Sequence, residues 1–315
     1  MREVIVVAPR GFCAGVTRAI DSVRLALQRF GAPVYVRRAI VHNAAVVSQL
    51  AEEGAVFVDE LEQVPTGAPV VFSAHGVSQE VRRIAQQRDL QVVDATCPLV
   101  DKVHQEALRF LADGYQVVLI GHAGHDETLG TMGQSPGQIR LLTDENQVAL
   151  LPFEPSARVA YVTQTTLSTD QVLPIVAALK QRFPLLTSPR IADICYATQN
   201  RQEAAQWLAG VADAVLVLGD LASSNATRLR EVAVARGVRA LLAPSIQDVP
   251  DMWFEGVDVL GLTSGASTPE ILVQEAVARF SGMGARVRYE LLATEQVTFS
   301  LPQIPAKRQI PEVAL

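Results

Sequence analysis

Three times along this chain of 315 residues a run containing apolar residues ends at a cysteine that opens a helical pattern, and the chain has no other cysteine. Cys13 follows VIVVAPRGF, Cys97 follows QVVDAT, and Cys195 follows RIADI. Each reads as a strand-to-helix junction, the feature a parallel α/β sheet makes at the carboxyl end of a strand. A thiol there lies beside unpaired helix N–H groups, whose partial positive charge favours thiolate over thiol. That is an environment for a metal ligand.

Counting forward from each cysteine shows a repeat. His42 lies 29 residues after Cys13, His125 lies 28 after Cys97, and Ser223 lies 28 after Cys195. His75, Thr165 and Ser267 follow the same three cysteines by 62, 68 and 72 residues. Every one of these follows an apolar run. Strands are expected near 4–8, 34–37, 69–73, 91–94, 116–120, 158–163, 214–218 and 257–262, alternating with helical patterns. The expected fold class is α/β, with three small domains of mainly parallel sheet in a pseudo-threefold arrangement. The expected bounds are 14–97, 98–194, and 1–13 joined to 195–284, followed by a Pro-containing tail at 285–315. Ligands of open parallel sheets bind outside the carboxyl ends of the strands. Three units facing one axis would bring three thiolates to its centre.

Composition narrows the function classes. A net charge of −6 and no Lys/Arg cluster interleaved with aromatics argue against a nucleic-acid surface. No uninterrupted apolar run reaches the roughly 18 residues needed to span a bilayer, so a cytoplasmic protein without a membrane partner is expected. Three widely separated cysteines offer no disulfide framework.

A single cysteine commonly just fills space, but three at matched junctions make that reading poor. Zinc is the nearest competitor, yet structural zinc sites contain local pairs such as C-x-x-C, and none exists here. Thiolates gathered from distant segments suit an iron-sulfur cluster. Such clusters commonly take four cysteines, so three would leave one iron open to substrate, a Lewis-acid arrangement. His42, His75, His122 and His125 all follow strands, and several imidazolium groups with hydroxyls and helix N-termini make an anion site. Ser223, Ser224, Asn225 and Ser267 also read as ordinary caps of helices at 226–236 and 269–280. Glu127 stands in GHAGHDETLGTMGQ beside Asp126, where a solvated loop charge is the plainer reading. No phosphate-binding loop of nucleotide type is present.

PRGFCAGV, IVHN, FSAHGVS, DATCPLV, GHAGH followed by GTMGQ, QTTLS, DICYATQNRQ, SSN and GASTPE occur in this order between about Arg2 and Pro302. This series resembles the 4-hydroxy-3-methylbut-2-enyl diphosphate reductase family, which performs the last step of the non-mevalonate isoprenoid pathway. The resemblance implies a three-domain trefoil around a [4Fe-4S] cluster held by Cys13, Cys97 and Cys195. It implies a diphosphate pocket at His42, His75, His125, Ser223, Ser224, Asn225 and Ser267, with Glu127 as proton donor and Thr165 bonding the substrate hydroxyl. Also implied are an allylic diphosphate substrate, two electrons from an external donor of ferredoxin or flavodoxin type, and isopentenyl and dimethylallyl diphosphates as products. The alternatives are a non-redox cluster dehydratase and an iron-sulfur sensor or carrier.

The chain departs from the family pattern where HPEV is replaced by His125-Asp126-Glu127-Thr128, and where Ala226 stands for a serine. Neighbouring side chains of an extended segment point oppositely, so at most one of Asp126 and Glu127 is expected to face the site. Asp126 in place of proline is expected to loosen its loop. Ala226 is expected to remove a helix-start hydroxyl.

Overall fold

A computed structural model describes residues 1–306. In chain order the elements are β1 (Glu3–Ala8), α1 (Ala14–Phe30), β2 (Val34–Arg37), α2 (Ala44–Glu52), β3 (Ala55–Val58), β4 (Pro69–Phe72), α3 (Gln79–Gln87), β5 (Gln91–Asp94), α4 (Pro98–Ala112), β6 (Gln116–Ile120), α5 (Asp126–Met132) and β7 (Ile139–Leu142). There follow β8 (Val159–Thr163), α6 (Thr169–Arg182), α7 (Tyr196–Ala209), β9 (Ala214–Leu218), α8 (Ser224–Ala235), β10 (Arg239–Ala243), β11 (Val259–Ser264), α9 (Glu270–Gly282) and β12 (Arg286–Leu291). Short 3-10 turns complete the connections.

The strands form three sheets, ordered β3-β2-β4-β5, β7-β6-β8 and β10-β9-β11-β1-β12. Every pairing between named strands is parallel. Parallel central strands are covered on both faces and therefore read as continuous apolar runs. Val4, Val6, Leu216 and Leu260 pack on one face of the third sheet, Ile5, Val7, Val215 and Val217 on the other. The first and second sheets likewise have an apolar cluster on each side. The architecture is thus three α/β units, as expected. Sheet membership supports unit boundaries at the cysteines, which we propose as domain bounds.

Three expectations need correction. Four strands went unexpected, β3, β7, β10 and β12, and each lies at the edge of its sheet. An edge strand keeps one side in water and has no need of a continuous apolar run: β10 is exposed at its start, and no residue of β12 is buried. The second correction follows from β12, whose residues 286–291 pair with β1 rather than belonging to a tail that starts at 285. Residues 307–315 of that tail lie outside the described residues.

The third concerns Cys195, which no strand precedes. The backbone there makes one isolated bridge, Ala160 with Thr187, and is then irregular to Cys195. A carboxylate takes the place of a fourth strand: Asp193 accepts from the Thr163 N–H at 2.9 Å and pairs with Lys102 at 2.7 Å. With the edge N–H of β8 satisfied by a side chain, RIADI has no ladder to join.

Candidate active site

The three units meet around a cavity of about 110 Å³ lined by Cys13, Cys97, Cys195, His42, His75, His125, Glu127, Thr165, Ser223, Ser224, Asn225 and Ser267, together with Gly15, Thr166, Thr198 and several apolar side chains. Every site residue that the family resemblance implies lies in this one wall. His122 is not; its Nε2 faces Gln171 at 3.5 Å.

Each cysteine occupies the N-cap of a long helix, Cys13 on α1, Cys97 on α4 and Cys195 on α7. Each cysteine N–H also donates to a polar loop of its sheet: Cys13 to Ala266 O at 3.2 Å, Cys97 to Ala74 O at 2.9 Å, Cys195 to Thr165 O at 3.1 Å. All three thiols are free. The Cys195 sulfur lies 3.1 Å from the Thr198 hydroxyl and accepts from the Thr198 N–H at 3.4 Å. Gly15 leaves room for the sulfurs, because a Cβ there would stand 2.7 Å from Cys97 Sγ and 3.8 Å from Cys13 Sγ.

Helix N-termini do not by themselves make Cys97 and Cys195 thiolates. Burial pushes the Cys97 thiol up to about 12 and the Cys195 thiol up to about 11, outweighing the N–H groups at their caps. Cys97 and Cys195 can both be ionised here only with a cation beside them. The donor set therefore fits a soft metal centre of the iron-sulfur kind and gives little for a hard ion.

Glu127 sits in the first turn of α5, 2 % exposed. Its carboxylate accepts from the Thr165 N–H at 2.6 Å and from the Thr165 hydroxyl at 3.0 Å. Burial raises its pKa to about 7 against those two donors, with the Asp193 charge adding to the rise. Asp126 faces elsewhere. It lines a second, smaller cavity, forms an ion pair with Arg38, and lies 4.0 Å from His42 Nε2. The segment is helical rather than extended, but helical neighbours also diverge, so only one carboxylate enters the site. The ion pair holds Asp126 in place, contrary to the loosened loop expected.

His42, His75 and His125 cluster, with ring centroids 4.3 Å apart for the stacked pair His42–His75, 5.4 Å for His42–His125 and 5.8 Å for His75–His125. Burial, reinforced for His75 and His125 by neighbouring imidazoles, lowers all three pKa values, that of His125 to about 4 and that of His75 well below the ordinary range. The rings are neutral donors near neutrality, not the imidazolium groups expected. His125 Nδ1 accepts from the Glu127 N–H at 3.2 Å, which assigns the ring proton to Nε2.

Ligand atoms of His42, His75 and Asp126 lie within 4.8 Å of one another. The two rings stack at 25° with centroids 4.3 Å apart, so their lone pairs lie in nearly parallel, separate planes, a poor arrangement for holding one ion. Asp126 is moreover engaged by Arg38.

The third unit supplies the remaining polar groups. Ser223 caps α8, its hydroxyl accepting from the Ala226 N–H at 3.3 Å, as read from the sequence. Ser224 and Asn225 fall inside the helix, and Ser267 is no cap: Pro269 caps α9, while the Ser267 hydroxyl donates to His42 O at 2.9 Å. Asn225 Oδ1 accepts from the Ala266 N–H at 2.8 Å, leaving its amide Nδ2 buried without a partner. An orphaned N–H donor in the wall of a cavity invites an acceptor there. Ala226 packs against the backbone of Gly219 and Gly265, where added Cβ atoms would come within 2.7 and 2.8 Å of its own, and is absent from the cavity wall. A hydroxyl at that position would not face the site.

Residues 4–281 match the family model described as LytB protein. The chain belongs to the LytB family. It is 52 % identical over 309 residues to the 4-hydroxy-3-methylbut-2-enyl diphosphate reductase of Hahella chejuensis, covering 96 % of this chain and 98 % of that one. It is 51 % identical over 301 residues to the reductase of Magnetococcus marinus, covering 95 % and 98 %. The solved reductase from Plasmodium falciparum superposes with a TM-score of 0.93 at 37 % identity, over 96 % of each chain. A second solved reductase, described as the terminal enzyme of the non-mevalonate pathway, gives a TM-score of 0.64 at 30 % identity, over 90 % of this chain and all of that one.

Sequence reading missed Gly15, Thr166 and Thr198. Thr198 had a signal, three residues past a helix-capping cysteine, where a cap partner is expected. Gly15 had none, because its role is the space it leaves.

Proposed function

We infer that this LytB-family chain is a 4-hydroxy-3-methylbut-2-enyl diphosphate reductase, which takes up two electrons and two protons, releases the allylic hydroxyl as water, and leaves isopentenyl or dimethylallyl diphosphate. The observation that carries the assignment of roles is one cavity in which three cysteine sulfurs, the Glu127–Thr165 pair and a set of neutral N–H and O–H donors stand together. Cys13, Cys97 and Cys195 would hold a [4Fe-4S] cluster. When bound, it supplies the electrons and an iron without a protein thiolate as Lewis acid. An external carrier of ferredoxin or flavodoxin type would supply it with electrons.

The chain's own residues do the rest. His42, His75, His125, Ser223, Ser224, Asn225 and Ser267 would hold the diphosphate through donors, and the unpartnered Asn225 amide gains a partner there. Neutral imidazoles suit this task, because a dianionic group entering the cluster of rings lowers the cost of protonating one of them. Anchored by its diphosphate, the substrate presents its hydroxyl to Glu127 and Thr165 already oriented. A carboxyl with pKa about 7 is available both to give a proton to the leaving hydroxyl and to be recharged from solvent. The Thr165 N–H and hydroxyl stabilise the carboxylate that results.

Anaerobic purification with iron and sulfide analysis, followed by turnover with a chemical reductant, tests the reading. A brown protein with about four irons per chain and reductant-dependent loss of the hydroxyl is expected. A colourless, active, zinc-containing preparation refutes it, and turnover without reductant makes the chain a dehydratase.

A further inference from the structure

We propose that Arg18, Lys102 and Arg201 are positioning residues that fix the spacing of the three cysteines, each clamping the helix after one cysteine to the segment that delivers the next. The proposal rests on the cluster reading of the site.

The contacts close into a ring. Arg18, five residues past Cys13 on α1, donates to Thr96 O at 3.0 Å and Asp94 O at 3.5 Å, just before Cys97. Lys102, five residues past Cys97 on α4, donates to Ile191 O at 2.6 Å, Ala192 O at 3.2 Å and the Asp193 carboxylate at 2.7 Å, just before Cys195. Arg201, six residues past Cys195 on α7, donates to Gly11 O at 2.9 Å, two residues before Cys13. Each unit thus enters at one cysteine, leaves toward the next, and ties its entry helix to its exit by one cation.

Physical reasons favour a cation in this role. Apart from Asp94 at the end of β5, the carbonyls engaged lie in irregular backbone, where they need donors that a ladder does not supply. Hydrogen bonds from ionised donors are the stronger kind. A helix five residues past its start is already rigid, so a side chain anchored there transmits the helix position to the loop. Two of the cations engage the segment beyond β12 as well: Arg201, 1 % exposed, pairs with Glu295 at 2.8 Å, and the Arg18 Nε donates to Ser300 O at 2.7 Å. Lys102 has its own carboxylate in Asp193, which is fully buried.

A clamp makes a directional prediction that general destabilisation does not. In Lys102→Met the loosened cysteine is Cys195, in the exit segment, rather than Cys97 on the same helix. In Arg18→Met it is Cys97 rather than Cys13. The test is alkylation of the full, anaerobically loaded chain by an uncharged thiol reagent, read for each cysteine by peptide mass spectrometry. Labelling of the exit cysteine should accelerate about tenfold or more, the loss expected for hydrogen bonds to a charged donor, with the other two cysteines near their wild-type rates. Uniform acceleration, acceleration at the cysteine preceding the altered residue, or none in both variants overturns the clamp. A wild-type chain that takes up no iron overturns the cluster reading instead, and the labelling pattern on that same chain still decides the clamp. Removing Arg201 strands the Glu295 carboxylate and removing Lys102 strands the buried Asp193 carboxylate. Arg201 is therefore left unaltered, Lys102→Met is made together with Asp193→Asn, and Arg18→Met, whose bonds go to carbonyls, is the second test.

Discussion

Glu127→Gln separates proton delivery from binding. The substitution keeps shape, and Gln Oε1 can still accept one of the two Thr165 donors, now 2.6 and 3.0 Å from the carboxylate. The amide NH2 then faces the other, which costs about 1–2 kcal/mol of stability and leaves the fold intact. A carboxyl with pKa about 7 is roughly half protonated at neutral pH, where an ordinary glutamic acid is protonated in fewer than about one molecule in a hundred. Gln delivers no proton, and loss of a positioned general acid lowers kcat by about a hundredfold to ten-thousandfold. That is a rise of about 2.7–5.5 kcal/mol in barrier. Substrate and pyrophosphate affinities should stay within about threefold, since the anion donors are untouched. The wild-type rate should fall as pH rises through about 7, where the acid form is lost, and the residual rate of the variant should not. Asp126→Ala, outside the cavity, should retain activity within about tenfold, or about 1.4 kcal/mol in barrier. Single-turnover kinetics with saturating reductant across pH are the assay. A Glu127→Gln rate near wild type, or a dead Asp126→Ala beside it, refutes the assignment of the acid.

Two further outcomes are expected. Gly15→Ala places a methyl 2.7 Å from Cys97 Sγ, an overlap of about 1 Å that costs about 1–3 kcal/mol. Iron per chain should drop sharply while circular dichroism stays native, and full iron content would show that the sulfur moves aside freely. His104 is 1 % exposed, and burial lowers its pKa to about 4 from 6.5. The unfolded chain takes up this proton first as pH falls below 6.5, so stability is lost between about 6.5 and about 4, by up to about 3 kcal/mol for a shift of about 2.5 units. His104→Gln should lose less between those values than wild type by urea denaturation, the remaining slope coming from the other histidines lowered by burial, His42, His75 and His125, and equal losses in both would refute the linkage.

The sequence by itself determined the repeat. Cysteine spacing and apolar runs set three parallel α/β units, since a central strand buried on both faces has no freedom to be anything but apolar. The same counting put the cysteines, His42, His75, His125, Thr165, Ser223 and Ser267 after apolar runs as candidates for one site, whereas Glu127 came in only through the family resemblance. Four of the six edge strands were not legible, for a half-exposed strand needs no continuous apolar run. Nor was the irregular approach to Cys195, where one buried carboxylate replaces a strand. Tertiary structure alone decided protonation: three neutral histidines, a carboxyl held near 7 and thiols held at about 11 and 12 for Cys195 and Cys97 follow from burial and mutual approach. It also placed Glu127, the carboxylate that the resemblance implied, in the cavity wall and Asp126 outside it. The contacts of Arg18, Lys102 and Arg201 belong there too, since a cation on a helix names its carbonyl partner only once loops far away in the chain have been folded against it.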